Sequence, residues 1–266
     1  MKYYLFFLLV VGGTFSCKSE KEETTNETDA EQTTQWVFEN YSYTNREGKC
    51  DEETGRCVEV LIKYPKAVAG NAEAMRVINA RFEETAKAMV LEHLPENHPK
   101  QDIHELSNAF VKEYQRFIRD FRDVQYGWKL KLDAEIVEIN QAYISIRTNL
   151  YTFSGGAHPN VWTYLASHHP ETGEILKLSE IVKNLTKLTA LGESVFRSTK
   201  QIPDSLSLGD SGYFFEDGFN LPDNFCLTDK SLIFYYNNYE IAPYAAGPTE
   251  LVIEKQSLEG LLQKNL

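Results

Sequence analysis

Two stretches of the chain repeat their apolar residues with a helical period, and several others alternate with a period of two. Residues 72–91 carry Met75, Ile78, Phe82 and Met89 on one helical stripe. A sharper stripe follows the breaks at Pro95 and Pro99. Phe110, Tyr114, Phe117 and Phe121 form it with Val111 and Ile118, and Lys112, Glu113, Arg116, Arg119 and Asp120 take the far side. Such an aromatic stripe is expected to face a core. From Tyr126 the period becomes two. Trp128, Leu130 and Leu132 alternate, then Ile144, Ile146 and Leu150, and a turn at Ile139-Asn140-Gln141 makes these an antiparallel hairpin. Residues 36–43 and 58–64 read as paired strands, the second ended by Pro65. Residues 161–167 read as a further strand, closed by the turn Pro170-Glu171-Thr172-Gly173. Residues 178–198 predict one or two helices and 201–212 a loop. Strands at 224–227, 231–236 and 250–254 follow, with a short helix at 257–262. Strands and helices are grouped rather than strictly alternating, with no internal repeat. The expectation is an α+β fold of two small domains, 36–160 and 161–266, with mainly antiparallel sheets packed against helices.

The first 35 residues do not fit this pattern. Met1-Lys2 precedes the apolar run 3–13, too short to span a bilayer but suited to a secretory signal covering 1–16. Thr14-Phe15-Ser16-Cys17 resembles a lipobox, which implies cleavage before Cys17 and lipid on its sulfur. The charged run Lys18-Ser19-Glu20-Lys21-Glu22-Glu23 resembles the surface-export signal of Bacteroidetes-type lipoproteins. Residues 17–35 hold too little apolar surface to fold and read as a tether, reaching roughly 20–25 Å. The expected location is the cell envelope, anchored to the outer membrane by lipid alone. Composition agrees with a globular body: 42% of residues are hydrophobic and 25% charged, which excludes wholesale disorder. The net charge of −12, with no basic cluster, argues against nucleic-acid partners.

Export gives the cysteines meaning. Cys50 and Cys57 flank a polar loop, and a hairpin there would join them in a disulfide. A zinc site would need two more ligands, and none is near. Cys226 is expected to be buried and inert. No metal and no cofactor is expected: the six histidines lack ligand spacing, and no His-Glu-x-x-His motif exists.

Two segments stand out as candidate binding surfaces. Ser154-Gly155-Gly156-Ala157-His158 leaves a strand through two glycines, which permit a tight bend. Ser154 and His158 invite a nucleophile–base reading, but the glycine flanks of a nucleophile elbow are missing and no acid can be assigned. The expectation is therefore non-catalytic, with an envelope hydrolase using Ser154 and His158 as the alternative. The second segment, residues 235–248, holds Tyr239, Pro243 and Tyr244. It reads either as a glycan-stacking or protein-binding surface or as a crossover whose tyrosines finish the core.

SGGAH after a hairpin, Thr172-Gly173 leading to Leu178-Ser179-Glu180, and YEIAPYAAGP together resemble the paired extracytoplasmic domains of RsiV-type anti-sigma factors. The same pair precedes the catalytic domain of PdaC-type peptidoglycan deacetylases. The resemblance runs from Trp36 to the C-terminus. It implies binding at the envelope, either of a protein such as lysozyme, which RsiV-type factors contact directly, or of a peptidoglycan-type glycan. A transmembrane helix, a sigma-binding segment and a deacetylase domain are not found here, so neither that signalling nor that catalysis is carried over.

Overall fold

The computed structural model describes residues 35–50, 55–96, 98–99, 101–215 and 218–263, all within one compact unit. The signal segment, Cys17 and the tether up to residue 34 lie outside the described residues.

The fold is α+β, with eight strands in two sheets. Strand β1 (Val37–Gly48) pairs antiparallel with β2 (Cys57–Ala69) from end to end. The Cys50–Cys57 disulfide closes their turn, with the two Cα atoms 4.9 Å apart. Pro65 does not end β2. Pairing between β2 and its other neighbour stops at Lys63, so beyond it β2 has a partner on one side only and a residue without an N–H is tolerated.

Helices α1 (Ala72–Leu91) and α2 (Ile103–Asp120) follow. Asn71 and Asp102 cap them, each side chain accepting two backbone N–H groups of the first turn. Together they form the crossover that brings β3 (Trp128–Ile139) parallel to β2, the single parallel pairing of the sheet. Strands β4 (Ile144–Phe153) and β5 (Asn160–His168) add on antiparallel and complete the order β1-β2-β3-β4-β5. Asn140 builds the β3–β4 turn by accepting from the Ala142 and Tyr143 N–H groups.

The helices pack on β1, β2 and β3 around Ile62, Ile78, Leu106, Phe110, Leu130 and Leu132. Phe121 departs from its predicted stripe: the helix ends at Asp120, and Phe121, as its C-cap, is 58% exposed. The remainder forms a second core. Helices α3 (Leu178–Ile181) and α4 (Leu185–Lys200) pack against the sheet of β6 (Phe225–Leu227), β7 (Ser231–Tyr236) and β8 (Thr249–Glu254). The short helix expected near the end is a 3-10 turn, Lys255–Leu258. Cys226 is buried there, and burial pushes its thiol up to about 12.

Strand β5, placed by sequence at the head of the second half, belongs to the first sheet and joins the two cores. It is an edge strand, and an open edge invites pairing with other chains. Side-chain amides seal it here. The Thr163 N–H donates to Asn237 Oδ1 at 2.7 Å and the Leu165 N–H to Asn224 Oδ1 at 2.6 Å. The Thr163 carbonyl accepts from both amide NH2 groups. Ser145 and Ser167, also buried, treat β6 in the same way. Ser145 Oγ donates to the Leu227 carbonyl, and Ser167 Oγ accepts the Leu227 N–H.

Candidate functional site

The alternation of β4 and β5 builds the site. Odd positions face the second core, while Ile146, Thr148, Leu150 and Thr152 of β4, with Trp162, Tyr164, Ala166 and His168 of β5, share the opposite face. The helices leave this half of the face open. A groove of about 570 Å3 results, with β4 and β5 as floor and α1 as one wall. The Trp162 and Tyr164 rings lie stacked along the floor, 6.4 Å between centroids and 16° between planes. They are 40% and 48% exposed, two large aromatic faces offered to solvent.

Polar groups lie at both ends. At one, His168 is buried and its Nδ1–H donates to the Gly173 carbonyl at 2.8 Å. Burial lowers its pKa more than that carbonyl raises it, which favours the neutral ring. Arg81, on the α1 wall, pairs with Glu174 at 2.6 Å, while its Nε is buried with no partner among the described residues. Toward the other end stand Glu92 and the Thr152–Asn160 pair, next to the SGGAH bend. Tyr164 has a raised pKa, caused first by burial and then by the charges of Glu92 and Glu240.

The bend itself divides the residues that its sequence grouped. Ser154 Oγ is hydrogen-bonded to Nδ1 of His93, 3.1 Å away, not to His158. Burial lowers the His93 pKa, against the charge of Glu92, and no carboxylate is hydrogen-bonded to His93 among the described residues. Gly155 has φ +114°, and a Cβ there would come 2.8 Å from the Tyr126 hydroxyl. Gly156, at φ +105°, faces open space. His158 turns the other way and stacks on Tyr244, 4.1 Å between centroids, with its Nε2 3.4 Å from the Tyr239 hydroxyl. Tyr239 is exposed and held at φ +70°. Pro243 leads directly into the 3-10 turn Tyr244–Ala246. The structure thus joins His158, Tyr239 and Tyr244 in one exposed aromatic cluster. Among the described residues, no three His, Cys, Asp or Glu side chains gather closely enough to hold a metal ion, and no helix is long and apolar enough to cross a membrane.

Trp162 and Tyr164 were read only as strand residues from sequence. The usable signal was the alternation Trp-x-Tyr on a strand whose intervening positions, Thr163 and Leu165, supply the buried face.

Residues 51–161 match the family model described as deacetylase PdaC, and residues 172–256 match that of the protein of unknown function DUF3298. Each match covers less than half of the chain, and the two lie one after the other along it. Two solved structures share the fold. One is a DUF3298 family member from Bacteroides fragilis, 22% identical, with a TM-score of 0.69, covering 88% of this chain and 96% of its own. The other, a DUF3298 family protein from Pseudomonas aeruginosa, is 18% identical with a TM-score of 0.55, covering 86% and 96%. Among curated proteins no sequence match to the chain was found. The α1 wall and the β4 half of the groove floor lie in the stretch that matches PdaC, whereas Trp162, Tyr164, Ala166 and His168 of β5 fall between the two matched stretches. The aromatic cluster pairs His158, in the stretch that matches PdaC, with Tyr239 and Tyr244, in the stretch that matches DUF3298.

Proposed function

We propose that this protein is a non-catalytic cell-envelope lipoprotein, anchored through Cys17, whose folded body binds a cell-wall glycan in the groove between α1 and β5. The observation that carries this reading is the exposed Trp162–Tyr164 stack on the groove floor. Pyranose rings present flat C–H faces that pack on aromatic rings, and flanking polar groups such as Thr148, Thr152 and Asn160 suit their hydroxyls. The geometry offers little support for catalysis: Ser154 has a histidine but no orienting acid among the described residues, and His158 is committed to Tyr244 and Tyr239.

One observation favours a protein ligand instead. The exposed His158–Tyr239–Tyr244 cluster resembles an interface anchor, and a net charge of −12 would steer a basic partner such as lysozyme. Co-sedimentation with purified peptidoglycan separates the readings. Wild-type protein should pellet with the sacculi, and Trp162→Ala should weaken that binding about tenfold, or ~1.4 kcal/mol. Binding of lysozyme but not sacculi, weakened by Tyr244→Ala and untouched by Trp162→Ala, would reverse the assignment.

A further inference from the structure

Building on the groove as a glycan site, we infer that it selects glycans carrying free amino groups over N-acylated or acidic ones. The charged side chains lining it are Arg81, Glu84 and Glu92. Arg81 is held by Glu174, so its charge is already balanced. His168, also on the floor, has its pKa lowered by burial, which disfavours a positive charge there. Glu84 and Glu92 have no cationic partner among the described residues. Glu84 lies on α1 and Glu92, eight positions on, caps its C-terminus, with the small Ala88 between them. Both side chains line the same groove as Trp162 and Tyr164, and the charges of Glu92 and Glu240 reach Tyr164.

An ammonium group held between carboxylates and aromatic faces gains twice, from ion pairing and from the ring quadrupoles. An N-acetyl group gains neither, and a uronate carboxylate is repelled. The ligand class that fits is a glycan with glucosamine-type units whose amine is unsubstituted and protonated.

The test is calorimetric titration at pH 6 and low salt with two probes of equal length, a glucosamine tetramer and an N-acetylglucosamine tetramer. The amine-bearing probe should bind at least tenfold tighter. That preference should fall below threefold in Glu84→Gln/Glu92→Gln and at 0.5 M salt, while affinity for the N-acetylated probe stays unchanged. Both side chains are exposed, Glu84 on α1 and Glu92 at its C-terminal cap, so the fold should be retained. Equal binding of the two probes, or a preference that survives either the double substitution or Trp162→Ala, would overturn the inference while leaving a glycan groove intact. Failure of both probes to bind would overturn the groove reading along with it.

Discussion

The amide seal on β5 makes a quantitative prediction about how the two cores are coupled. Asn237→Ala removes the acceptor for the Thr163 N–H, which is buried, and leaves that donor without a partner. Asn224→Ala does the same to the Leu165 N–H. An orphaned buried donor costs about 1–3 kcal/mol, so each single substitution should lower stability by about 2 kcal/mol. The Thr163 carbonyl is the shared partner. It accepts from both amides, keeps one hydrogen bond in either single variant and loses both in the double. The double variant should therefore lose about 1 kcal/mol or more beyond the sum of the singles. Urea unfolding followed by circular dichroism, on wild type and all three variants, provides the complete cycle. Single costs below about 0.5 kcal/mol would show that the amides do not stand in for a neighbouring strand. Strict additivity would show that Thr163 does not link them.

Other consequences are checked more simply. Gly155→Ala should cost on the order of 1–3 kcal/mol and exceed Gly156→Ala, because both carry positive φ but only Gly155 also presses on Tyr126; thermal melts of the two variants decide this. His93 and His168 both have pKa values lowered by burial, so the unfolded chain binds more protons as pH falls below about 6.5. Stability contributed by these neutral rings is therefore fully present above pH 6.5 and declines below it, and urea midpoints at pH 7.5 and 5.5 should show the drop. Its disappearance in a His93→Gln/His168→Gln variant identifies the source. Cys17→Ser should leave the protein out of the membrane fraction or unprocessed, and unchanged fractionation and mobility would refute the lipid anchor.

Much of this architecture can be read from local pattern. The α1 stripe, the alternation through β3 and β4, the cysteine-closed hairpin and the Asn140 turn each depend on neighbours along the chain. The split at 182–184 between α3 and α4 was left open by sequence, since one pattern covers both helices. What escaped depends on contacts far apart in sequence. The parallel β2–β3 pair requires two helices to be understood as one crossover. Strand β5 shows the same alternation whichever sheet receives it, and its pairing with β4, with Asn224 and Asn237 on its other edge, settles where it lies. Asn237 sits in the segment whose sequence left a binding surface and a core-finishing crossover both open, and its amide is buried. The groove was hidden for a related reason. It is a half-face that the helices fail to cover, and no local pattern records what a distant helix leaves open. The SGGAH and tyrosine segments were legible as unusual, but their association through His158 required the fold.

The most direct test of the central claim uses the chain's three tryptophans, Trp36, Trp128 and Trp162. Their indole N–H signals can be resolved and assigned by substitution in a two-dimensional nitrogen–proton spectrum. Titration with soluble peptidoglycan fragments should shift the Trp162 signal in proportion to occupancy. Trp128, half-buried against Phe110 and Tyr114, and Trp36, stacked on Phe38, should stay in place. A Trp162 signal that remains fixed while the fragments bind, or no binding at all, would contradict the assignment of the β4–β5 groove as the glycan site.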